Sequence, residues 1–270
     1  MRLTARTWFI VLALAAGLPV AALAGPLQLI SNGSFSNGFS SWTVTNEPGG
    51  GCGTTVVSDG SGSCGSWFVV AGSTAAAALS GLPLPGPSPD NAANYALADE
   101  NDPAASALTQ SFTMPDGSAD LDLTFDMFVN SWPDETSCGS LDFPSSSSVQ
   151  CAYVSILAGG ANALSAPGST GVVDSLFMDA PLGPSSGSNP WVSYEYSLTN
   201  LTPGDTYQLQ FAQADNQGLL NVGVTDVSLT AVTATPEPAS IWMLGTGLLL
   251  LGLAWGFGRS KARRAGAQVC

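Results

Sequence analysis

Between positions 25 and 235 the chain has no lysine, arginine or histidine. The basic residues, Arg2, Arg6, Arg259, Lys261, Arg263 and Arg264, lie at the two ends, and the sequence has no histidine. Of the 20 acidic residues all but Glu237 lie inside that stretch, which leaves 19 carboxylates with no side-chain cation among them. Such a segment cannot form an internal salt bridge. Each carboxylate must be solvated, hydrogen-bonded to neutral donors, protonated or matched with a metal ion. The field excludes nucleic acid and disfavours anionic polymers, and it leaves divalent cations and neutral sugars open as ligands. Solubility in a salty or acidic exterior is the plain alternative.

The missing residue types also remove chemistry. Without histidine no Ser-His-Asp or Cys-His set can be built, and without an internal lysine neither Ser-Lys nor Schiff-base catalysis is available. No glycine-rich phosphate loop precedes a helical pattern. The chain is expected not to be an enzyme. A carboxylate-dependent hydrolase acting on extracellular polysaccharide is the alternative, with Asp134-Glu135 and Asp99-Glu100-Asp102 as its nominated acid clusters.

Both ends read as targeting segments. Arg2 and Arg6, an apolar run over 8–18 and Ala22-Leu23-Ala24 predict a signal peptide at 1–24, so the chain is expected to be exported. At the other end, Thr235-Pro236-Glu237-Pro238 is followed by an apolar run over 239–257 of 19 residues without a charge. As a helix that run spans about 28 Å, close to the ~30 Å hydrocarbon core of a bilayer. Arg259, Lys261, Arg263 and Arg264 follow it and are expected to stay cytoplasmic with the tail 265–270.

The order of Pro236-Glu237-Pro238, one hydrophobic span and an Arg-rich end over 235–264 resembles the PEP-CTERM sorting signal of Gram-negative bacteria. The resemblance implies that an exosortase-type membrane enzyme reads the signal. It further implies an inner-membrane-anchored precursor, cut near Pro-Glu-Pro and passed to the cell surface or exopolysaccharide matrix. An ordinary single-span anchor is the other reading.

The exported part, 25–234, has no long amphipathic helical pattern and is rich in turn residues. Residues 120–129 alternate, with Leu121, Leu123, Phe125, Met127 and Val129 on one side and a carboxylate-rich face on the other. Tyr207, Leu209 and Phe211 alternate likewise over 206–212. Further strands are predicted over 66–71, 107–114, 151–158, 191–198 and 221–232, with turn-rich segments at 81–94, 144–148, 159–171 and 181–190. The fold class is all-β, an antiparallel β-sandwich, with an N-terminal signal helix and one C-terminal transmembrane helix.

Three stretches resemble galactose-binding-like jelly rolls, a group that includes several carbohydrate-binding modules. They are Asn32-Gly33-Ser34-Phe35 with Gly38 and Trp42, the run 201–211 with Leu201, Gly204, Tyr207, Leu209 and Phe211, and Thr225-Asp226-Val227-Ser228-Leu229. The resemblance implies a jelly roll whose first and last strands are neighbours. That family commonly binds a structural Ca²⁺ through an opening Glu and a closing Asp. Here Ser36 and Thr225 stand at those positions, and only Asp226 remains from the pattern.

Ca²⁺ is the one cofactor considered. Besides Asp226, the oxygen-rich cluster Asp99-Glu100-Asn101-Asp102, placed in an expected loop, is its candidate ligand set, against a solvated acidic loop. Cys52, Cys64, Cys138 and Cys151 lie in the exported part, where disulfides persist. Four cysteines allow three pairings. Nearest-neighbour bridges, Cys52–Cys64 and Cys138–Cys151, are expected because each pair brackets one hairpin-like excursion. Aromatic faces stack on sugars while Asp, Asn and Gln bond their hydroxyls. Trp132, with Asp134 beside it, and Tyr95 are the ligand-binding candidates, alongside Trp67 and Trp191. Core packing is the competing reading for Trp42, Trp67 and Trp191. The expected role is structural or adhesive, in exopolysaccharide or biofilm, with glycan binding.

Overall fold

The computed structural model describes residues 26–49, 66–71, 80–100, 103–132, 137–143, 147–183 and 188–233, within a compact unit Pro26–Thr233. The signal peptide, the sorting signal (Pro236, Glu237, Pro238, Arg259, Lys261, Arg263, Arg264), Cys52, Cys64, Asp102 and Asp134 lie outside these residues. Among the described residues no helix is long and apolar enough to cross a membrane.

Every regular element described is a strand: β1 (Leu27–Gln28), β2 (Thr43–Asn46), β3 (Trp67–Ala71), β4 (Asn94–Glu100), β5 (Ala104–Thr113), β6 (Ser118–Trp132), β7 (Gln150–Ala158), β8 (Val172–Asp179), β9 (Val192–Leu198), β10 (Thr206–Asp215) and β11 (Leu219–Thr233). They form two sheets. The first has the order β3-β4-β11-β6-β9 with β1 also paired to β11, and the second has the order β2-β5-β10-β7-β8; all ladders are antiparallel. The domain is an antiparallel β-sandwich, as the alternation predicts.

β6 shows why. Leu121, Leu123, Phe125, Met127 and Val129 are buried in the main core, and the intervening positions face outward from the sheet. Side chains of a strand alternate between faces, so one apolar set suffices to fix which side packs. Rings from both sheets meet there. Phe125 contacts Phe211 at 5.1 Å, Phe211 contacts Trp42 at 6.1 Å, and Trp42 contacts Phe35 at 5.3 Å. Trp67 and Trp42 fill the core, as one of the two readings has it, and Trp191 caps a smaller cluster of Val70, Leu97 and Phe128 on the outer side of the first sheet.

The ends of the domain meet on β11. One flank of β11 pairs with β6 throughout; the other is shared, with β4 against Leu220 to Val224 and β1 against Thr230 and Ala231. Between them lies a bulge at Thr225 to Ser228, where Asp226 takes φ 51°. The Asn32-Gly33 stretch fills that gap. Val227 N–H donates to the Gly33 carbonyl at 3.1 Å, and a Cβ at Gly33 would overlap the Val227 carbonyl, so only glycine fits. Asn32, at φ 55°, holds the loop through its amide to the Gly38 and Ser40 carbonyls and accepts Trp42 Nε1–H on its own.

Four strands depart from the sequence expectations: β1, β2, β4 and β8 have no counterpart among the predicted strands. Asp99 and Glu100 end β4 instead of opening a loop. The burial of β8 is irregular and it is an edge strand with two register shifts against β7, so it carries no clean alternation.

Carboxylates inside the domain are met by neutral donors. Asp99 accepts from the Ser80 N–H at 3.0 Å, Glu100 from the Gln213 amide, and Asp215 from the N–H groups of Gln217 and Gly218 at 2.8 and 3.1 Å. Asp215 is fully buried at the β10–β11 turn and its Oδ2 has no hydrogen-bond partner. Burial pushes its carboxyl above the ordinary value, with the two N–H groups opposing in part.

Two outcomes follow from this architecture. Cys138 and Cys151 are bridged, with Cα atoms 5.2 Å apart and a separation of 13 residues. Loop closure of that length stabilises by about 3 kcal/mol, so the double variant C138S/C151S should melt about 6–12 °C lower. For Asp215, the raised folded pKa means that the native state holds the proton after the unfolded chain has released it. Its contribution to stability is therefore present at acid pH and is lost as pH rises from the ordinary carboxylate range through the raised value. Asp215→Asn should match wild type near pH 4, gain on it as pH rises through the raised value and keep that gain above it, read from denaturation midpoints across about pH 4–7.

Candidate functional site

On the second sheet a groove of about 480 Å³ is lined by Ser31, Ser41, Thr43, Thr45, Thr109, Gln110, Ser111 and Gln208, with Leu29 and Ala163 as its apolar contribution. The floor follows from register. Thr43 on β2 stands opposite Thr109 on β5, Thr109 opposite Gln210 on β10, and Ser111 opposite Gln208. One wall is the 159–171 turn segment. Gln208 donates to the Ala161 carbonyl at 3.2 Å, and Gln210 to those of Ala163 and Ser165 at 2.6 and 3.2 Å. The opposite end is fixed by Gln110, whose amide both donates to the Ser31 carbonyl and accepts its N–H, at 2.9 and 2.7 Å. No lining residue carries a charge, in a domain with 19 acids.

The first sheet carries the opposite chemistry. Carboxylate oxygens of Asp90, Asp126 and Asp226 lie within 4.8 Å of one another. β6 presents Asp126 outward, the bulge in β11 presents Asp226, and the segment between Ser88 and Ala92 brings Asp90 over them. That segment is held by Ser88, which accepts from the N–H groups of Asn91 and Ala92, each at 2.9 Å, and by Trp191 Nε1–H on the Gly86 carbonyl at 2.8 Å. Asp126 is 5 % exposed; Ser193 donates to its Oδ1 at 2.6 Å and its Oδ2 has no hydrogen-bond partner. Burial, then Asp126 and Asp90, raise the Asp226 carboxyl above its usual range.

The residues nominated from sequence are dispersed. Trp132 is half exposed at the end of β6, on the first sheet and away from the groove. Tyr95 sits on β4, in T-shaped contact with Trp191 at 5.4 Å and Phe128 at 6.2 Å, where it packs half-buried against that cluster; burial, then Asp99, pushes its hydroxyl up to about 12. Register places Trp132 opposite Leu219 at the start of β11 and Tyr95 beside the Ala96–Val224 pair near its middle, on opposite flanks of the strand and about 20 Å apart. Asp99 and Glu100 are consecutive in a strand and so face opposite sides of the sheet, Asp99 toward Ser80 and Glu100 toward Gln213. They do not form one ligand set. Asp226 does join a cluster, but with Asp90 and Asp126, which no local pattern links to it. The groove residues are small polar side chains spread over 31–208, and only the two-residue alternation of β5 and β10 could have placed them on one face.

No family model matches the chain, and no curated protein matches it. Similar solved structures include a family 61 carbohydrate-binding module in complex with β-1,4-galactotriose, at 12% identity over 76% of this chain and 99% of that one, with a TM-score of 0.41. The K3 adhesin domain of Lys-gingipain from Porphyromonas gingivalis is 14% identical over 76% and 99%, with a TM-score of 0.43. The active domain of a tailspike protein of bacteriophage CBA120 is 15% identical, with a TM-score of 0.43; the match covers 76% of this chain and spans about a fifth (21%) of that protein. These neighbours are mostly carbohydrate-binding-module-like β-sandwich domains, and none of the likenesses extends to what this chain binds.

Proposed function

We propose that the domain binds neutral glycans in the groove of the second sheet and is displayed in a polysaccharide matrix. The observation that carries this reading is the uncharged lining. A groove of about 480 Å³ falls in the size range of small-ligand sites, and hydroxyls and carboxamides are the groups that exchange hydrogen bonds with sugar hydroxyls. The domain's 19 carboxylates without an internal cation repel anionic polymers, which narrows the ligand to neutral sugars. No aromatic ring lines the groove, so hydrogen bonds carry recognition and single-site affinity is modest. A carboxylate-dependent hydrolase draws no support from this lining, which holds no acid. The PEP-CTERM-like tail supports export through the inner membrane, reading by an exosortase-type enzyme and arrival at the cell surface or matrix, with a structural or adhesive role there.

The test is a glycan array and calorimetry on the full-length chain, with neutral polysaccharides against polyuronates. Neutral glycans should bind without release of reducing ends. Thr43→Val and Ser111→Ala, which remove exposed hydroxyls from the groove, should each weaken binding about 3–10-fold; Trp132→Ala should leave it unchanged. Loss of binding in Trp132→Ala alone, preference for polyuronates, or steady release of reducing ends would each overturn the proposal.

A further inference from the structure

We propose that Asp90, Asp126 and Asp226 form a Ca²⁺ site that ties the 81–93 segment to the central strands β6 and β11. Donor chemistry selects the ion. Three hard carboxylate oxygens within 4.8 Å of one another are close enough to meet one divalent cation, and a one-sided set completed by water suits Ca²⁺, with its six to eight ligands in flexible geometry, better than octahedral Mg²⁺. Zinc is not suited, because histidine is absent and no cysteine belongs to the cluster.

A group of acids alone would prove nothing, since exposed carboxylates gather without a ligand. Here the central one is not exposed. Asp126 is 5 % exposed, its Oδ2 lacks any hydrogen-bond partner, and Asp226 likewise has a buried Oδ2 without one. A carboxylate kept from water normally accepts several hydrogen bonds or faces a cation, and no lysine, arginine or histidine occurs between positions 25 and 235. Ser193, donating to Asp126 Oδ1, orients that carboxylate as an outer-shell partner orients a metal ligand. The space in front of the cluster, about 220 Å³ and bordered by Thr124, Ser193 and Glu195, leaves room for the waters that bring a three-carboxylate set to six or more ligands.

The site differs from the one implied by the galactose-binding-like resemblance. At that family's closing Asp position stands Thr225, whose hydroxyl donates to the Asn94 carbonyl at 2.9 Å, while the Asn94 amide reaches the Phe35 carbonyl at 3.4 Å. Hydrogen bonds occupy that position. The bulge then turns the next residue, Asp226, toward Asp126 and Asp90, neither of which belongs to the family's motif.

The site does not depend on the glycan groove, which lies on the other sheet. With three carboxylates and an open side, its dissociation constant should fall at about 10⁻⁴–10⁻³ M, the range of extracellular calcium modules. Calorimetry and thermal melts of the full-length chain should show one bound Ca²⁺. The melting midpoint should rise roughly 3–10 °C at 10 mM CaCl₂, above the effect of NaCl at matched ionic strength and of MgCl₂. Asp126→Asn and Asp226→Asn should lower Ca²⁺ affinity at least tenfold while the metal-free midpoint holds or rises, because each relieves repulsion; a purely structural role would lower that midpoint. Asp90→Asn, in an exposed loop, serves if either buried variant does not fold, and Asp174→Asn on β8 should bind as wild type does. Equal Ca²⁺ shifts in wild type and the triad variants, or no shift beyond NaCl, would overturn the proposal and leave the glycan reading untouched.

Discussion

The pairing of β6 with β11 is the contact that the rest of the domain depends on. It runs from Leu219 opposite Trp132 to Thr233 opposite Ser118, interrupted by one bulge at Thr225 to Ser228 and by a register shift before Thr233. The inward side chains of these two strands form the central part of one core wall, and Phe125 carries the ring contacts across to the second sheet. The bulge locally ends the pairing with β4, admits the Asn32-Gly33 loop and leaves room for β1 farther along. Closure of the domain and presentation of Asp226 therefore have one cause. An extra residue in β11 does both, as bulges elsewhere re-aim a side chain at the cost of a ladder bond.

Without internal cations, the domain distributes its carboxylates by exposure and by neutral donors. Those that are buried take backbone N–H groups, the Ser193 hydroxyl or the Gln213 amide. A charge met only by neutral dipoles keeps part of its desolvation penalty, which is why the Asp215 carboxyl is raised and not lowered; burial, then the neighbouring Asp126 and Asp90, raise that of Asp226. The two sheets diverge for this reason. The outer side of the first gathers acids around β6 and β11, and the groove of the second is lined by hydroxyls and carboxamides with Leu29 and Ala163 and no acid.

The sandwich itself could be read from the residues. β6 and β10 announce themselves by strict alternation, and the Asn32-Gly33 and Thr225-Asp226 motifs meet because one needs a residue without Cβ where the other bulges. Cys138–Cys151 pairs as nearest-neighbour spacing suggests. The parts that could not be read are those set by tertiary contact. Asp99-Glu100 is acidic and looks solvated, yet it closes a central strand because Ser80 and Gln213 supply donors from distant segments. Asp90, Asp126 and Asp226 come from three separate stretches, and no spacing rule joins them. Tyr95 and Trp132 read alike as exposed aromatics, but one faces a packed cluster and the other open solvent.

A groove without an aromatic platform bears on how such a domain would have to work. Stacking on a ring face usually supplies much of the energy in sugar binding, and hydroxyl and amide contacts alone exchange one set of hydrogen bonds for another with water at small net gain. One copy would then hold a glycan weakly. Many copies held in one surface or matrix, each able to engage the same polymer, raise the effective concentration of the next contact into the millimolar range and turn weak sites into firm attachment. Display at high density, as the proposed sorting tail would provide, is the condition under which weak binding in an uncharged, ring-free groove becomes firm attachment.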